Sequence, residues 1–158
     1  MENNKKQVVI KHAAQTVSDL SASIDAAIRA TEERTQLLGY LASLESFIQN
    51  NRHDRDEVRE AEEQRSKYEA RIDVLTDIIN KGKAAKSKYL DSLRFEQAEI
   101  LDRMEFYSKK LDNCVVSMGD ARFPEAASDF EVYNDEYMRL HEKSKKIASK
   151  IAELQKIQ

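Results

Sequence analysis

The apolar residues of this chain recur at alternating intervals of three and four along most of its length. This spacing places them on one stripe of an α-helix, and it is typical of the seam along which helices pack in a coiled coil. The stripe is most regular in two segments, with seam positions at Val58, Ala61, Arg65, Tyr68, Ile72, Leu75 and Ile79, and at Phe130, Tyr133, Tyr137, Leu140, Ser144, Ile147, Ile151 and Leu154. The pattern predicts an all-α fold.

The same spacing predicts an earlier helix with an interrupted seam. Its first seam positions are Ile10, Ala13, Val17, Leu20, Ile24 and Ala27. The next two would be Thr31 and Arg34, which are polar, and the apolar stripe resumes at Leu38 and Leu41. We therefore expect the helix to continue across an irregular middle.

Turn and capping signals divide the chain into helices of about 5–49, 54–118 and 128–157. The polar run 49–53 is predicted to be the turn of a helical hairpin, and Asp54 with Glu57 has the spacing of a capping box. Gly119 is the expected terminator of the middle helix.

A second capping box, Ser128 with Glu131, predicts the start of the last helix. The segment before it, residues 120–127, contains the only proline, Pro124. With three glycines and one proline in 158 residues, turns must be few and helices long.

Gly82 leaves two possibilities for the middle helix. It could end a helix, because glycine favours the position just past a C-terminus. The segment after it is strongly helix-forming and lacks a nearby N-cap, so we favour one helix that is weakened at Gly82. The step from Ile79 to Tyr89 is expected to break the heptad spacing and change the supercoil locally.

Short connections make neighbouring helices antiparallel. We therefore expect one elongated domain over residues 1–158, an antiparallel coiled coil or long-helix bundle of three to four helices. The first helix would pack along the start of the middle helix, and the last helix along its end. The two outer helices would overlap near its centre.

One apolar surface has no obvious partner in this arrangement. We call it the apolar strip, and it consists of Leu37, Leu38, Leu41, Leu44, Phe47 and Ile48. The antiparallel segment opposite, 54–68, offers only Val58, Ala61 and Tyr68. Either the strip binds another chain, a second copy included, or a different topology covers it with Met104, Tyr107 or the last helix.

Composition narrows the class of protein without identifying it. The net charge is −3, which gives no overall attraction to nucleic acid or to an anionic membrane. The one cysteine, Cys114, excludes an internal disulfide and fits a reducing compartment. No segment is long and apolar enough to span a bilayer, so we expect a cytoplasmic protein, including the host cytoplasm if it is viral.

Motifs that carry chemistry are missing from the sequence. The three histidines, His12, His53 and His141, have no glutamate three residues before them, as a helical di-iron site would require. No paired cysteines, nucleophile signature or glycine-rich phosphate loop is present. We expect no catalytic, cofactor-binding or metal-binding residue, and no enzyme.

Two groups of lysines suggest an alternative function, the binding of nucleic acid or an anionic membrane surface. They are Lys81, Lys83, Lys86 and Lys88, and Lys143, Lys145, Lys146 and Lys150. Neither arginine stripes nor aromatic platforms accompany them, so solvated helix faces are the preferred interpretation.

The pattern as a whole predicts a non-enzymatic coiled-coil interaction protein with a structural, adaptor or regulatory role. It would bind a protein partner or itself, as a homodimer or larger assembly. A second alternative is a small inhibitor of the phage or viral type that blocks a host protein by occupying its groove.

Overall fold

A computed structural model describes the backbone of residues 2–157 and the side chains of residues 17–157. It contains three helices, α1 (Glu2–Asn50), α2 (Arg55–Ser117) and α3 (Ala126–Lys156), and no strand within the described backbone. The all-α prediction is confirmed. The seam positions predicted at Ile10 and Ala13 lie outside the described side chains, and coiled-coil packing stays a prediction.

The contacts of the chain divide it into two compact units, Met1–Tyr89 and Leu90–Gln158. The boundary lies inside α2, so the first unit consists of α1 with the first part of α2. The second unit consists of the rest of α2 with α3. The arrangement as one elongated domain stays a prediction.

In the first unit α1 and α2 are antiparallel, as the short connection predicts. Arg71 donates two hydrogen bonds to Glu33, from Nε to Oε1 at 2.7 Å and from Nη2 to Oε2 at 2.9 Å. Further towards the turn the rings of Tyr40 and Tyr68 are 6.1 Å apart. Later residues of α1 therefore meet earlier residues of α2, and the predicted seam from Val58 to Ile79 is buried or half-buried.

The register of α1 differs from the sequence prediction in its irregular middle. Ala30 is buried while Thr31 is exposed, and the Thr31 hydroxyl donates to the carbonyl oxygen of Ala27 at 2.8 Å. Two successive steps of three, from Ile24 through Ala27 to Ala30, shift the inward stripe by one residue. In consequence Leu37 packs on the core cluster of Ala30, Leu75 and Ile79, and Leu38 is left exposed.

Helix α2 is continuous through Gly82, which is buried against α1. A Cβ on Gly82 would overlap the Cβ of Ala27 and lie 3.0 Å from the carbonyl oxygen of Ser23. Glycine thus permits a close approach of the two helices at this point. Gly82 and half-buried Lys86 lie between Ile79 and Tyr89 at intervals of three and four. The seam therefore continues through this segment, where the sequence had predicted a break.

The second unit is another antiparallel helix pair. Lys143 Nζ lies 3.2 Å from Glu96 Oε1, Arg103 pairs with Glu136 at 3.8 Å, and the rings of Tyr107 and Tyr133 are 6.1 Å apart. Its buried apolar residues include Leu93, Ile100, Met104, Cys114, Ala126, Leu140, Ile147 and Leu154. Every seam position predicted from Phe130 to Leu154 is buried or half-buried, so that segment of the pattern is confirmed.

The helix ends follow the sequence signals at two of three positions. Asp54 Oδ1 accepts a hydrogen bond from the backbone N–H of Glu57 at 3.3 Å, directly before α2. Gly119, just past the end of α2, has a φ of +81°, a conformation that glycine adopts without strain.

The capping box predicted at Ser128 is wrong, because α3 begins at Ala126. The position before it, Glu125, makes no capping hydrogen bond with its side chain. The backbone already bonds in helical fashion here, with the N–H of Asp129 donating to the carbonyl of Glu125 at 2.9 Å. Pro124 lies in the turn before α3, one residue ahead of the N-cap position Glu125.

Candidate interaction surface

The apolar strip occupies the last four turns of α1, and none of its six residues is buried. Leu38 is 45% exposed and Phe47 39% exposed. The other four, Leu37, Leu41, Leu44 and Ile48, are half-buried. A run of six large apolar side chains without one full burial is unusual for a helix that already packs on a neighbour.

Tyr40 extends this surface and was missed by the sequence analysis. It is 57% exposed and stands four residues before Leu44 and seven before Phe47, so all three share one flank of α1. This spacing was available in the sequence.

The opposing surface of α2 is too small to cover the strip. Ala61 is the only buried residue of α2 between Arg55 and Tyr68, and Val58 is half-buried. An open groove with a cavity volume of about 320 Å³ remains between the helices. Its lining residues are Leu44, Phe47, Glu57, Glu60 and Ala61.

The residues that were expected to cover the strip in a different topology have partners of their own. Met104 is buried in the second unit. The Tyr107 ring packs within that unit against Tyr133, and lies edge-on to Phe106 at 5.3 Å. The described ring contacts of Tyr107 therefore lie within the second unit.

The exposed phenylalanines Phe95 and Phe106 of α2 do not form a comparable row. Phe95 is 68% exposed, and Phe106, on the same face, follows eleven residues later, with the charged Glu99 and Asp102 between them. Single exposed apolar residues of this kind are ordinary on protein surfaces. The apolar strip differs because its members are one turn apart.

The lysines of the alternative hypothesis are spread over two units and several helix faces. Lys81, Lys83, Lys86 and Lys88 belong to the first unit, and Lys143, Lys145, Lys146 and Lys150 to the second. Three lysines of the second group have carboxylate partners: Lys143 pairs with Glu96, Lys145 with Glu142 and Lys150 with Glu153. Ion pairing within the chain therefore accounts for much of the second group.

The loop between α2 and α3 borders a second cavity, of about 520 Å³, near Cys114 and Phe123. Asp120 accepts hydrogen bonds from the backbone N–H and the guanidinium of Arg122, which lower the pKa of its carboxyl group. Phe123 is exposed beneath the Arg122 guanidinium, 5.9 Å from it, and Cys114 is buried as a small apolar residue. These contacts order the loop.

The remaining pKa shifts come from surface ion pairs. The Arg71 guanidinium holds the pKa of Glu33 below its ordinary value, and Arg139, with a contribution from Arg103, does the same for Glu136. Each depressed pKa means that the pair stabilises the fold above the ordinary glutamate pKa of 4.5 and loses this contribution as the pH falls. The pairs Arg71–Glu33 and Arg103–Glu136 join neighbouring helices, whereas Arg139 and Glu136 both belong to α3.

Within residues 17–157, no three histidine, cysteine or carboxylate side chains lie close enough together to hold a metal ion. His141 stacks on Tyr137 with ring centroids 6.5 Å apart. In the same part of the chain, no helix combines the length and apolarity that crossing a membrane requires.

No protein-family model matches this chain, and no curated protein or solved structure matches it either.

Proposed function

We propose that the chain is a non-enzymatic interaction protein that binds another protein chain through the apolar strip. One observation carries the proposal: six large apolar side chains follow one another along the last turns of α1, and none of them is buried. The bound chain is a partner protein or a second copy. The role is structural, adaptor or regulatory, and the location is the cytoplasm.

The energetics of burial support this proposal. Fully burying one leucine or phenylalanine stabilises by about 1.5–3 kcal/mol relative to exposure. Tyr40 and Phe47, which share one flank of α1, keep a large part of that gain unused, because they remain 57% and 39% exposed. A neighbouring chain that covered them would recover it, and aromatic side chains are the usual energetic centres of such interfaces.

The binding of nucleic acid or lipid headgroups through lysines has weaker support. Such binding needs cations that are available to phosphates. Lys143, Lys145 and Lys150 are already paired with carboxylates of the same chain. The second alternative, an inhibitor that occupies a host protein's groove, is a special case of the proposed interaction function.

Site-specific photo-cross-linking tests the proposal. p-Benzoylphenylalanine at position 47 should form adducts with another protein chain, either in the purified protein or in an extract of the source cells. The matched control carries the same group at position 95, where Phe95 is even more exposed, on α2. Because the control lies outside the apolar strip, it should give adducts at background level.

The proposal would be contradicted if positions 47 and 95 gave the same adducts in the same yield. Such a result would mean that the reagent reports exposure alone. It would be contradicted equally by the absence of any adduct from position 47 in both samples.

A further inference from the structure

The groove beside the apolar strip has an apolar floor and an acidic edge. Leu44 and Phe47 of α1 and buried Ala61 of α2 form the floor. Glu57 and Glu60, one helical turn apart and both exposed, line the edge. A surface built in this way favours an occupant that is apolar in the middle and cationic at its side.

The acidic edge is not neutralised within the chain. Among the described side chains, the carboxylates of Glu57 and Glu60 have no ion pair and accept no hydrogen bond. Asp56 stands four residues before Glu60, and Glu63 three residues after it, so like charges repel along this flank. The positive end of the helix dipole favours Asp56 and Glu57 in the first turn, but its effect fades before Glu60 and Glu63.

Two of the nearby arginines, Arg55 and Arg59, lie on another face of α2, and inward-facing Arg65 does not line the groove. At 100° per residue, Glu60 is 100° from inward-facing Ala61, whereas Arg59 is 160° from it on the other side. Arg55, four residues before Arg59, shares that far flank, together with Glu62. Helical spacing thus separates Arg55 and Arg59 from the groove.

A second copy docking groove to groove would use the same patch on both chains. Each copy would then bring Glu57 and Glu60 into the contact, and the lining of the groove supplies no cation to pair with them. The charge distribution therefore opposes a symmetric self-contact at this groove.

We propose that the occupant of the groove is an amphipathic helix of a partner protein that carries lysine or arginine beside large apolar residues. This inference rests on the proposed function and specifies the partner's chemistry. The partner helix packs its apolar side chains on Leu44, Phe47 and Ala61. Its cationic side chains, spaced one helical turn apart, pair with Glu57 and Glu60. Recognition is of the helix-in-groove kind, with charge setting the orientation.

Calorimetric titration with two model peptides tests the inference. Both are amphipathic helices of about 18 residues with the same leucine pattern, long enough to form a helix. One carries lysine at its polar positions and the other glutamate. The full-length chain should bind the leucine–lysine peptide at least about tenfold more tightly, and added salt should narrow the difference.

Two double variants separate local recognition from general acidity. Glu57→Gln with Glu60→Gln should weaken binding of the leucine–lysine peptide by about tenfold. Glu99→Gln with Asp102→Gln removes the same charge from an exposed part of α2 in the second unit, and should change the affinity by less than about twofold. Equal losses of affinity in both variants would overturn the inference, because peptide binding would then depend on the net charge of the chain and not on the groove.

The remaining outcomes distinguish this inference from the proposed function. Equal binding of both peptides, weakened by Phe47→Ser, would overturn the charge preference and leave the apolar strip as a binding surface. Self-association that Phe47→Ser disrupts and the peptide cannot displace would assign the groove to a second copy. If Phe47→Ser altered neither peptide binding nor self-association, both proposals would fail.

Discussion

Replacing Leu75 with alanine is expected to lower the free energy of unfolding by about 2–5 kcal/mol. Leu75 is 1% exposed and lies at the centre of the cluster formed with Ala30 and Ile79, with Leu37 and Ile78 packed against it. Its removal leaves a cavity that rigid neighbouring helices fill only in part. Urea denaturation of the full chain, followed by helical circular dichroism, measures the change.

The adjacent residue supplies the control for this prediction. Val74 is 49% exposed, so Val74→Ala should change the free energy of unfolding by no more than about 0.5 kcal/mol. Leu140 is also 1% exposed, and we expect Leu140→Ala to behave like Leu75→Ala in the second unit. Similar small shifts for Val74→Ala and Leu75→Ala would contradict the packing described for α1 and α2.

Gly82→Ala is expected to destabilise the protein by about 1–3 kcal/mol, although alanine is the better helix former. The new Cβ would overlap Ala27 and approach the carbonyl oxygen of Ser23 to 3.0 Å. The helices must then separate, and the neighbouring contacts at Ile79 and Ala85 loosen. A lower midpoint of thermal unfolding is the expected measurement.

Gly39→Ala is the matched control, because a Cβ on Gly39 would meet nothing within 4 Å. There alanine should raise the free energy of unfolding by about 0.5–1 kcal/mol, since only helix propensity changes. Ala27→Gly combined with Gly82→Ala removes the main overlap and should recover part of the loss, which a double-mutant cycle measures. Stabilisation by Gly82→Ala alone would refute the close approach at this point.

Heptad spacing predicted most of the fold because each segment buries its own stripe. The positions from Val58 to Ile79 and from Phe130 to Leu154 face inward as the sequence indicates, even where a member is Arg65 or Ser144. The prediction failed where the decisive residue is small. Ala30 and Gly82 contribute little apolar area, so the apolar spacing did not place them on the seam. Both are nevertheless buried, and their small size lets α1 approach α2.

The start of α3 was placed two residues too late for a related reason. Ser128 and Glu131 match a capping box, but backbone hydrogen bonds around Glu125 begin the helix without a side-chain cap. A local sequence signal cannot reveal which of two adjacent starts the surrounding loop favours.

The apolar strip was identified from sequence because its partner segment was visibly poor in apolar residues. Its detailed shape required coordinates. The one-residue shift of register turns Leu37 inward and Leu38 outward, and the groove places Glu57 and Glu60 beside Phe47. Likewise, the pairing of Lys143 with Glu96 joins residues far apart in sequence, which composition alone could not show.

Hydroxyl-radical footprinting measures directly whether another chain covers the apolar strip. The modification rates of Tyr40 and Phe47 are compared between the dilute purified chain and the chain in its native cell extract. If another chain binds there, both residues are modified more slowly in the extract, with Phe95 unchanged as the internal reference. Equal rates at Tyr40 and Phe47 in the two samples would contradict the proposed binding.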